Sequence, residues 1–287
     1  MSFNSYPFTD KKKEKWENEG RGHGVGSTWI PWLIECDVPS GHGHMERFVC
    51  SKSKRKSLCF STGELHARMY FDAKACVLSI EEQFPLDREK TRRIARTLRI
   101  EHPRDLKSRV DIVMQTDLVV RARHPLKGSL VWLPRSCKTH ASITDYNDAE
   151  HAEIERIYWA EEGHQWKVIT DSGRCVPPSL LVNLHTIKGY RFEPAGQTFE
   201  GEFARKCDEL LAALTLNSDD ISLGEFCARY GTKKGLDTGE ASAAALFLAH
   251  KERLPVVLAG PPIMRQGARE IARVLATGRQ EQLRRAA

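Results

Sequence analysis

The sequence predicts an α/β protein core followed by a helical C-terminal region. Between residues 62 and 171, amphipathic helical stretches alternate with short runs rich in valine and isoleucine, in the order helix, strand, strand, strand, helix, strand. Beyond about residue 217, apolar residues recur at helical spacing and glycine-containing turns separate the stretches. We therefore expect three parts: an irregular basic arm over residues 1–28, an α/β domain over 29–171 and a helical domain over 172–287.

The α/β part is predicted to begin with a hairpin-like region and a helix. Residues 29–60 hold short apolar stretches interrupted by the turn-forming letters PSGHGH. Ser61 or Thr62 can cap a helix in which Leu65 and Met69 recur at helical spacing. The first regular helix of the domain is therefore expected to start here.

Four strands and a long helix are predicted downstream. Residues 76–86 alternate as in a strand, and residues 110–122 predict a buried strand that a Thr-Asp pair interrupts. A third apolar run covers residues 130–133. A long amphipathic helix over 145–163 then precedes a short strand over 165–171.

The C-terminal region predicts a helix-turn-helix or winged-helix module. Two helical stretches, ISLGEFCARYG and LDTGEASAAALFLAHKER, are separated by a glycine-containing turn. The stretch LPVVLAGPPI suits a strand or a wing, and residues 269–287 predict a basic helical tail. Such a module can bind DNA or another protein.

Composition excludes several classes of protein. The chain has 40% hydrophobic and 29% charged residues, no apolar run near the 18 or so residues that span a bilayer, and no apolar segment of a secretory signal. A cytoplasmic protein is expected. The eight cysteines are scattered without a C-x-x-C pair, which favours buried, reduced thiols over disulfides or a zinc cluster. His23, His42 and His44 lie in glycine-rich stretches without suitably spaced partners, so we expect loops there.

Positive charge is concentrated rather than spread. The net charge is +6, and nine lysines or arginines fall between residues 88 and 109. Clustered positive charge favours a polyanion such as DNA, although a solvated basic helix face also accounts for it. The basic side chains predicted to contact DNA are Arg21, Arg88, Lys90, Arg92, Arg93, Arg96 and Arg99.

Three residues of the α/β part suit metal-dependent hydrolysis of a phosphodiester. Glu64 falls in the first turn of a helix, Asp117 interrupts an apolar strand, and Lys138 follows the next apolar run. Carboxylate oxygens bind hard cations such as Mg²⁺, and two such ions can clamp the attacking and leaving oxygens. A lysine nearby can orient or deprotonate the water and offset negative charge.

Each of these residues also has a structural explanation. Glu64 suits a capping box, and Lys138 taken alone suits a solvated surface position. Asp117 suits a strand edge, although an acid between apolar flanks is costly without a cation. On the preceding strand, Glu81 or Glu82 can lie near the metals, and strand alternation predicts that one of the two points outward.

Four motifs in order give the chain a family resemblance. GRGHGVGSTWIPWL, EQFPL, MQTDLVV and IERIYWAEEG occur successively over about residues 20–171. This combination resembles TnsA, the endonuclease subunit of heteromeric bacterial transposases. The resemblance implies a restriction-endonuclease-like core of the PD-(D/E)xK type and a C-terminal winged-helix-type domain.

The resemblance also implies the residues of the active site. The family's glutamate, aspartate and lysine fall on Glu64, Asp117 and Lys138. Relatives often carry Gln or Glu two residues before the lysine, where this chain has Ser136. The ligand at that position is therefore expected to be the Ser136 oxygen, through water, or the main-chain carbonyl of Cys137. Two Mg²⁺ ions per site are implied, with Mn²⁺ as a substitute.

The implied function is cleavage of the 5′ strands at transposon ends. A TnsB-like DDE transposase cuts the 3′ strands, and a TnsC-like AAA+ ATPase binds the C-terminal domain. Two alternatives stay open at this point. The chain can be a non-catalytic DNA-binding adaptor with a degenerate site at Ser136, or a stand-alone restriction-type nuclease.

Overall fold

The computed structural model describes residues 7–37, 45–124, 126–139, 142, 144–171, 176–195 and 200–286, with side chains up to residue 278. Two compact units divide the chain: Met1–Asp72 with Cys76–Cys175, and Ala73–Ala75 with Val176–Ala287. In these described stretches, no helix is both long and apolar enough to cross a bilayer.

The first unit is built around one mixed sheet. In chain order its elements are α1 (Asp10–Asn18), β1 (Glu46–Val49), β2 (Lys56–Cys59), α2 (Thr62–Asp72), β3 (Val77–Pro85), α3 (Arg88–Leu98), β4 (Gln115–Arg123), β5 (Leu130–Lys138), α4 (Tyr146–Glu161) and β6 (Lys167–Thr170). The sheet order is β3-β4-β5-β6, and β1 pairs with β2 separately. β5 and β6 run parallel and the other neighbours antiparallel, so α4 is the crossover that a parallel pair requires. The predicted mixed α/β class is confirmed.

Two strands differ from their predicted bounds. β4 begins at Gln115, because residues 103–112 instead pair with each other: the amide of Ile112 donates to the Pro103 carbonyl at 3.0 Å. β5 continues to Lys138, well past the apolar run, because its last four residues pair with β6. Apolar periodicity does not predict this last part of β5, because its pairing partner β6 lies later in the chain.

The N-terminal segment predicted as irregular contains a helix. The Thr9 hydroxyl caps α1 by accepting from the Lys12 amide at 3.2 Å. The Trp16 side chain is buried and packs between Phe8 and the edge of Trp32. The Trp16 indole therefore packs the basic helix α1 against the rest of the first unit. The charge pattern of the segment does not predict this contact.

Buried ion pairs join α2 to β3. Arg68 on α2 is fully buried and pairs with Glu82 at 3.0 Å, and Arg55 also bonds to the Glu82 carboxylate. Glu81 is buried as well, and it accepts from the Gly26 amide at 3.0 Å. The prediction that one of these two glutamates points outward is therefore wrong. Both carboxylates serve to hold neighbouring segments.

The second unit is helical in its described residues. It consists of α5 (Pro178–Lys188), α6 (Glu202–Thr215), α7 (Leu223–Lys234), α8 (Glu240–His250) and α9 (Ala268–Ala286). The segment 254–263, predicted as a strand or wing, forms no strand. The Asn183 amide group fixes it instead, donating to the Leu258 and Pro261 carbonyls and accepting from the Ile263 amide at 3.0 Å. The helix-turn-helix assignment stays a prediction.

Candidate active site

Glu64 is held at the start of α2 by its own helix terminus. The Ser61 hydroxyl accepts from the Glu64 amide at 3.1 Å and donates to Glu64 Oε1 at 3.0 Å. The Phe60 amide donates to Glu64 Oε2 at 3.0 Å. Glu64 thus caps the helix and is only 6% exposed. The structural explanation of Glu64 as a capping residue is therefore confirmed.

Asp117 meets the end of β5 through a main-chain amide. The regular pairing of β4 with β5 ends at Leu118 opposite Arg135. The Cys137 amide beyond it donates to Asp117 Oδ2 at 2.6 Å. In a strand, the N–H and C=O of one residue point to the same neighbour. The Cys137 carbonyl therefore faces the same side as Asp117.

Lys138 completes the group at the last residue of β5. Its ammonium lies close enough to Asp117 to lower the pKa of that carboxyl, against the stronger raising effect of burial. Lys138 and Ser142 also line a cleft of about 280 Å³ with Asp148 and Trp166 on its walls. The lysine therefore lies between the carboxylate and an accessible opening.

Burial and like charge act on the two acids together. Burial and, to a smaller extent, the nearby negative charge of Asp117 together raise the pKa of Glu64 to about 7. The pKa of Asp117 is likewise raised, chiefly by burial. Adjacent carboxylates with raised pKa values are typical of sites that accept a proton or a cation.

Comparison with known proteins shows what this region is similar to. Residues 74–171 match the family model of the TnsA-like endonuclease N terminal, which includes Asp117 and Lys138. The transposon Tn7 transposition protein TnsA of Escherichia coli is 36% identical over 153 residues, which are 53% of this chain and 54% of that protein. The chain therefore spans about half the length of the curated relative that it matches.

Residues 74–171 are thus similar to the N-terminal domain of TnsA-like endonucleases. The resemblance inferred from the sequence motifs is confirmed over this region. Three of the four motifs, those around Gln83, Asp117 and Trp159, fall inside the matched residues.

Ser136 does not take the predicted ligand role in the TnsA-like domain. It is 1% exposed; its hydroxyl donates to Glu155 Oε1 at 2.6 Å and accepts from the Trp166 indole at 3.1 Å. The expectation that its oxygen serves a metal is corrected, because both partners are protein groups. Of the two ligands considered for this position, the Cys137 carbonyl remains.

Glu155 is an acid of this site that the sequence analysis missed. It comes from α4, and its Oε1 also accepts from the Thr116 hydroxyl at 2.5 Å. Burial raises its pKa to about 7, and the charge of Asp117 contributes. The sequence signal that could have predicted this burial is the position of Glu155 on the apolar face of the IERIYW helix. A carboxylate from α4 thus lies against Ser136 near the end of β5.

Gln83 of the EQFPL motif is a second missed residue. Its side chain is buried, and its amide nitrogen lies 3.3 Å from Glu64 Oε2. Its main chain has φ of 48°, which is uncommon for a residue other than glycine. The motif was visible in the sequence, but its backbone conformation was not.

Several predicted DNA contacts are occupied by protein partners. Arg21 is 5% exposed and bonds to Glu19, Asp37 and the Trp32 carbonyl, so its predicted role in DNA contact is corrected. The α3 residues Arg88, Lys90, Arg92 and Arg93 are ion-paired with Asp10, Glu162, Asp111 and Glu161, respectively.

Of the three histidines expected in loops, the structure describes His23. His23 is exposed on a glycine-rich loop, as expected. His42 and His44 lie outside the described residues.

Replacing Glu155 by glutamine tests the buried-acid assignment. The pKa of Glu155 in the folded protein lies above the usual 4.5. The contribution of the neutral acid to the unfolding free energy is therefore lost as pH rises from about 4.5 to 7. The amide keeps an acceptor for Thr116 and Ser136. We therefore expect Glu155→Gln to match the wild type near pH 4.5 and to exceed its unfolding free energy by about 2 kcal/mol near pH 8.

The measurement is urea unfolding with EDTA present. Glu153→Gln is the matched control on α4, since Glu153 pairs at the surface with Arg156 and its pKa is lowered. This control should change stability by less than about 0.5 kcal/mol. A wild type more stable than Glu155→Gln near pH 8 contradicts the assignment.

Proposed function

We propose that the chain is a metal-dependent DNA endonuclease that cuts the 5′ strands at transposon ends during cut-and-paste transposition. The observation that carries the proposal is the convergence of Glu64, Asp117 and Lys138 at one end of the sheet of a TnsA-like endonuclease domain. These residues lie on a helix and two strands. They are far apart in the sequence, and only the fold brings them together.

The donor set of this site fits Mg²⁺ or Mn²⁺. Glu64 and Asp117 offer carboxylate oxygens, and the Cys137 carbonyl faces the same side as Asp117. Within the described residues, no three His, Cys, Asp or Glu side chains group as metal ligands. The Cys137 carbonyl is the third protein ligand of the proposed site. Two metal ions per site would polarise the phosphate and activate water.

The protein residues then have distinct roles. The carboxylate oxygens of Glu64 and Asp117 are the proposed metal ligands. Because both carboxylates are buried close to one another, a divalent cation beside them is favourable. Lys138 positions the attacking water and offsets the charge that develops on the phosphate. Glu155 fixes the end of β5 through Ser136.

The proposal extends to partners and location. A TnsB-like DDE transposase would cut the 3′ strands, and a TnsC-like AAA+ ATPase would dock on the helical second unit. A bacterial cytoplasmic setting follows from action on DNA. Support for these partners is the TnsA-like domain itself.

We place the DNA-facing surface on the turn at residues 104–109 and the end of α3. The Asp105 carboxylate accepts from the Phe8, Lys107 and Ser108 amides, so the turn is preordered. The Leu106 side chain is 84% exposed at its tip.

The positive charge of this surface is only partly compensated. A cleft of about 270 Å³ is lined by Arg88, Arg92, Arg104, Arg109, Asp10, Val110 and Asp111. Within the described part of the chain, Arg96, Arg99 and Arg109 have no ion pair. Glu89 and Glu101 also pair with Arg92 and Arg104, so the uncompensated charge at the cleft lies on Arg109, which suits a phosphodiester backbone.

Charge-matched arginine variants test this surface. Arg109→Gln should weaken binding to a nonspecific duplex and reduce the salt slope of the affinity by about one. Arg93→Gln removes the same charge from an exposed arginine that Glu161 already neutralises, so its effect should be small. Fluorescence anisotropy across a salt series measures both. Equal losses in the two variants contradict the assignment of this surface.

Strand-specific cleavage tests the enzymatic proposal. The full chain with its partner transposase, end-labelled transposon DNA and Mg²⁺ should cut the 5′ strand. Asp117→Ala should lower this cleavage by at least about a thousandfold, because it removes a ligand used in the transition state, and should leave 3′ cutting intact. Asp148→Ala, at the neighbouring cleft, is the control for removing an acid nearby. Normal 5′ cleavage by Asp117→Ala overturns the site.

The second candidate is a non-catalytic DNA-binding adaptor of the same complex. The observation that favours it is Ser136, whose oxygen is engaged by Glu155 and Trp166 where relatives often carry a metal-binding side chain. An adaptor retains the DNA surface and binds the partners, but the assay above then shows no 5′ cleavage with the wild-type chain, while the partner transposase still cuts the 3′ strands.

A further inference from the structure

Gln83 stands opposite Asp117 in the sheet. The pairing of β3 with β4 sets Glu82 opposite Leu118 and Phe84 opposite Thr116, so the residue between them faces Asp117. At this position the main chain of Gln83 adopts the left-handed region, with φ of 48°. Such a conformation is strained for a residue with a side chain.

Two tryptophans of the N-terminal motif hold this conformation. The Trp29 indole donates to the Glu82 carbonyl at 3.0 Å, and the Trp32 amide donates to the Gln83 carbonyl at 3.2 Å. Both acceptors are consecutive carbonyls at the irregular residue. The IPW segment thus satisfies the main chain where the ladder is interrupted.

The strained main chain directs a donor to Glu64. Gln83 is 5% exposed, and its Nε2 lies 3.3 Å from Glu64 Oε2. A carboxylate accepts only, so the amide nitrogen is the group that faces it. The other donors to Glu64, from Phe60 and Ser61, belong to the start of its own helix. Gln83 is the contact that ties Glu64 to the sheet, opposite Asp117.

A role only in bending the strand does not account for the choice of glutamine at this position. Left-handed positions are most easily filled by glycine or asparagine. A long side chain that is buried and bonded to an acid of the site has a use beyond turning the strand.

We propose that Gln83 is a positioning residue that fixes the Glu64 carboxylate beside Asp117 for binding of a divalent cation. The inference rests on the proposed function. Residues that orient metal ligands typically change metal affinity by tenfold or more when they are removed.

The test is calcium binding to the full chain by isothermal titration. Gln83→Met keeps the length of the side chain and removes the donor, and Gln83→Asn keeps the amide but shortens its reach. Both should lower Ca²⁺ affinity about tenfold, while the urea midpoint of unfolding in EDTA stays close to that of the wild type. Ser79→Ala, a buried polar truncation on the same strand, should bind Ca²⁺ as wild type does.

The outcomes separate this inference from the proposed function. Wild-type affinity in both Gln83 variants, or an equal loss in Ser79→Ala, overturns the positioning role while the endonuclease proposal stands. Absence of Ca²⁺ binding in the wild type overturns both. If Gln83→Met does not fold, Gln83→Asn decides, because asparagine adopts the left-handed region more readily.

Discussion

The first unit depends on keeping two carboxylates, Glu64 and Asp117, enclosed close to one another. Burial and mutual repulsion both raise the pKa of Glu64, to about 7, so the pair is unfavourable as two free anions. The protein offsets part of this cost with the Cys137 amide and the charge of Lys138. What remains is a site with an affinity for positive charge, and that affinity is the physical basis of the proposed metal-dependent chemistry.

Neighbouring segments serve this enclosure. The Arg68–Glu82 pair attaches α2 to β3, so the helix that carries Glu64 is fixed to the strand that carries Gln83. The Trp29 indole and the Trp32 amide bond to the main chain of the same strand. The family motifs are therefore connected physically, since the tryptophan segment supports the conformation of the glutamine motif beside the acids.

Much of this arrangement is predictable from the sequence, and the remainder has definite physical causes. Apolar periodicity gave the order of helices and strands, and an acid between apolar flanks drew attention to Asp117. Ser136 was interpreted as a ligand because a linear pattern does not show that α4 brings Glu155 against it. Gln83 was overlooked because a left-handed φ is not encoded by any local glycine or asparagine. The burial of Trp16 was not predicted because it lies in a basic stretch whose charge suggested an irregular arm.

The most direct measurement of the central claim is anomalous diffraction from crystals of the full chain soaked in Mn²⁺. The account predicts an anomalous peak in contact with a Glu64 oxygen, an Asp117 oxygen and the Cys137 carbonyl, and its loss in Asp117→Ala. A peak at other residues only, or no peak at a Mn²⁺ concentration that supports cleavage, would contradict the claim that these two acids form the metal site.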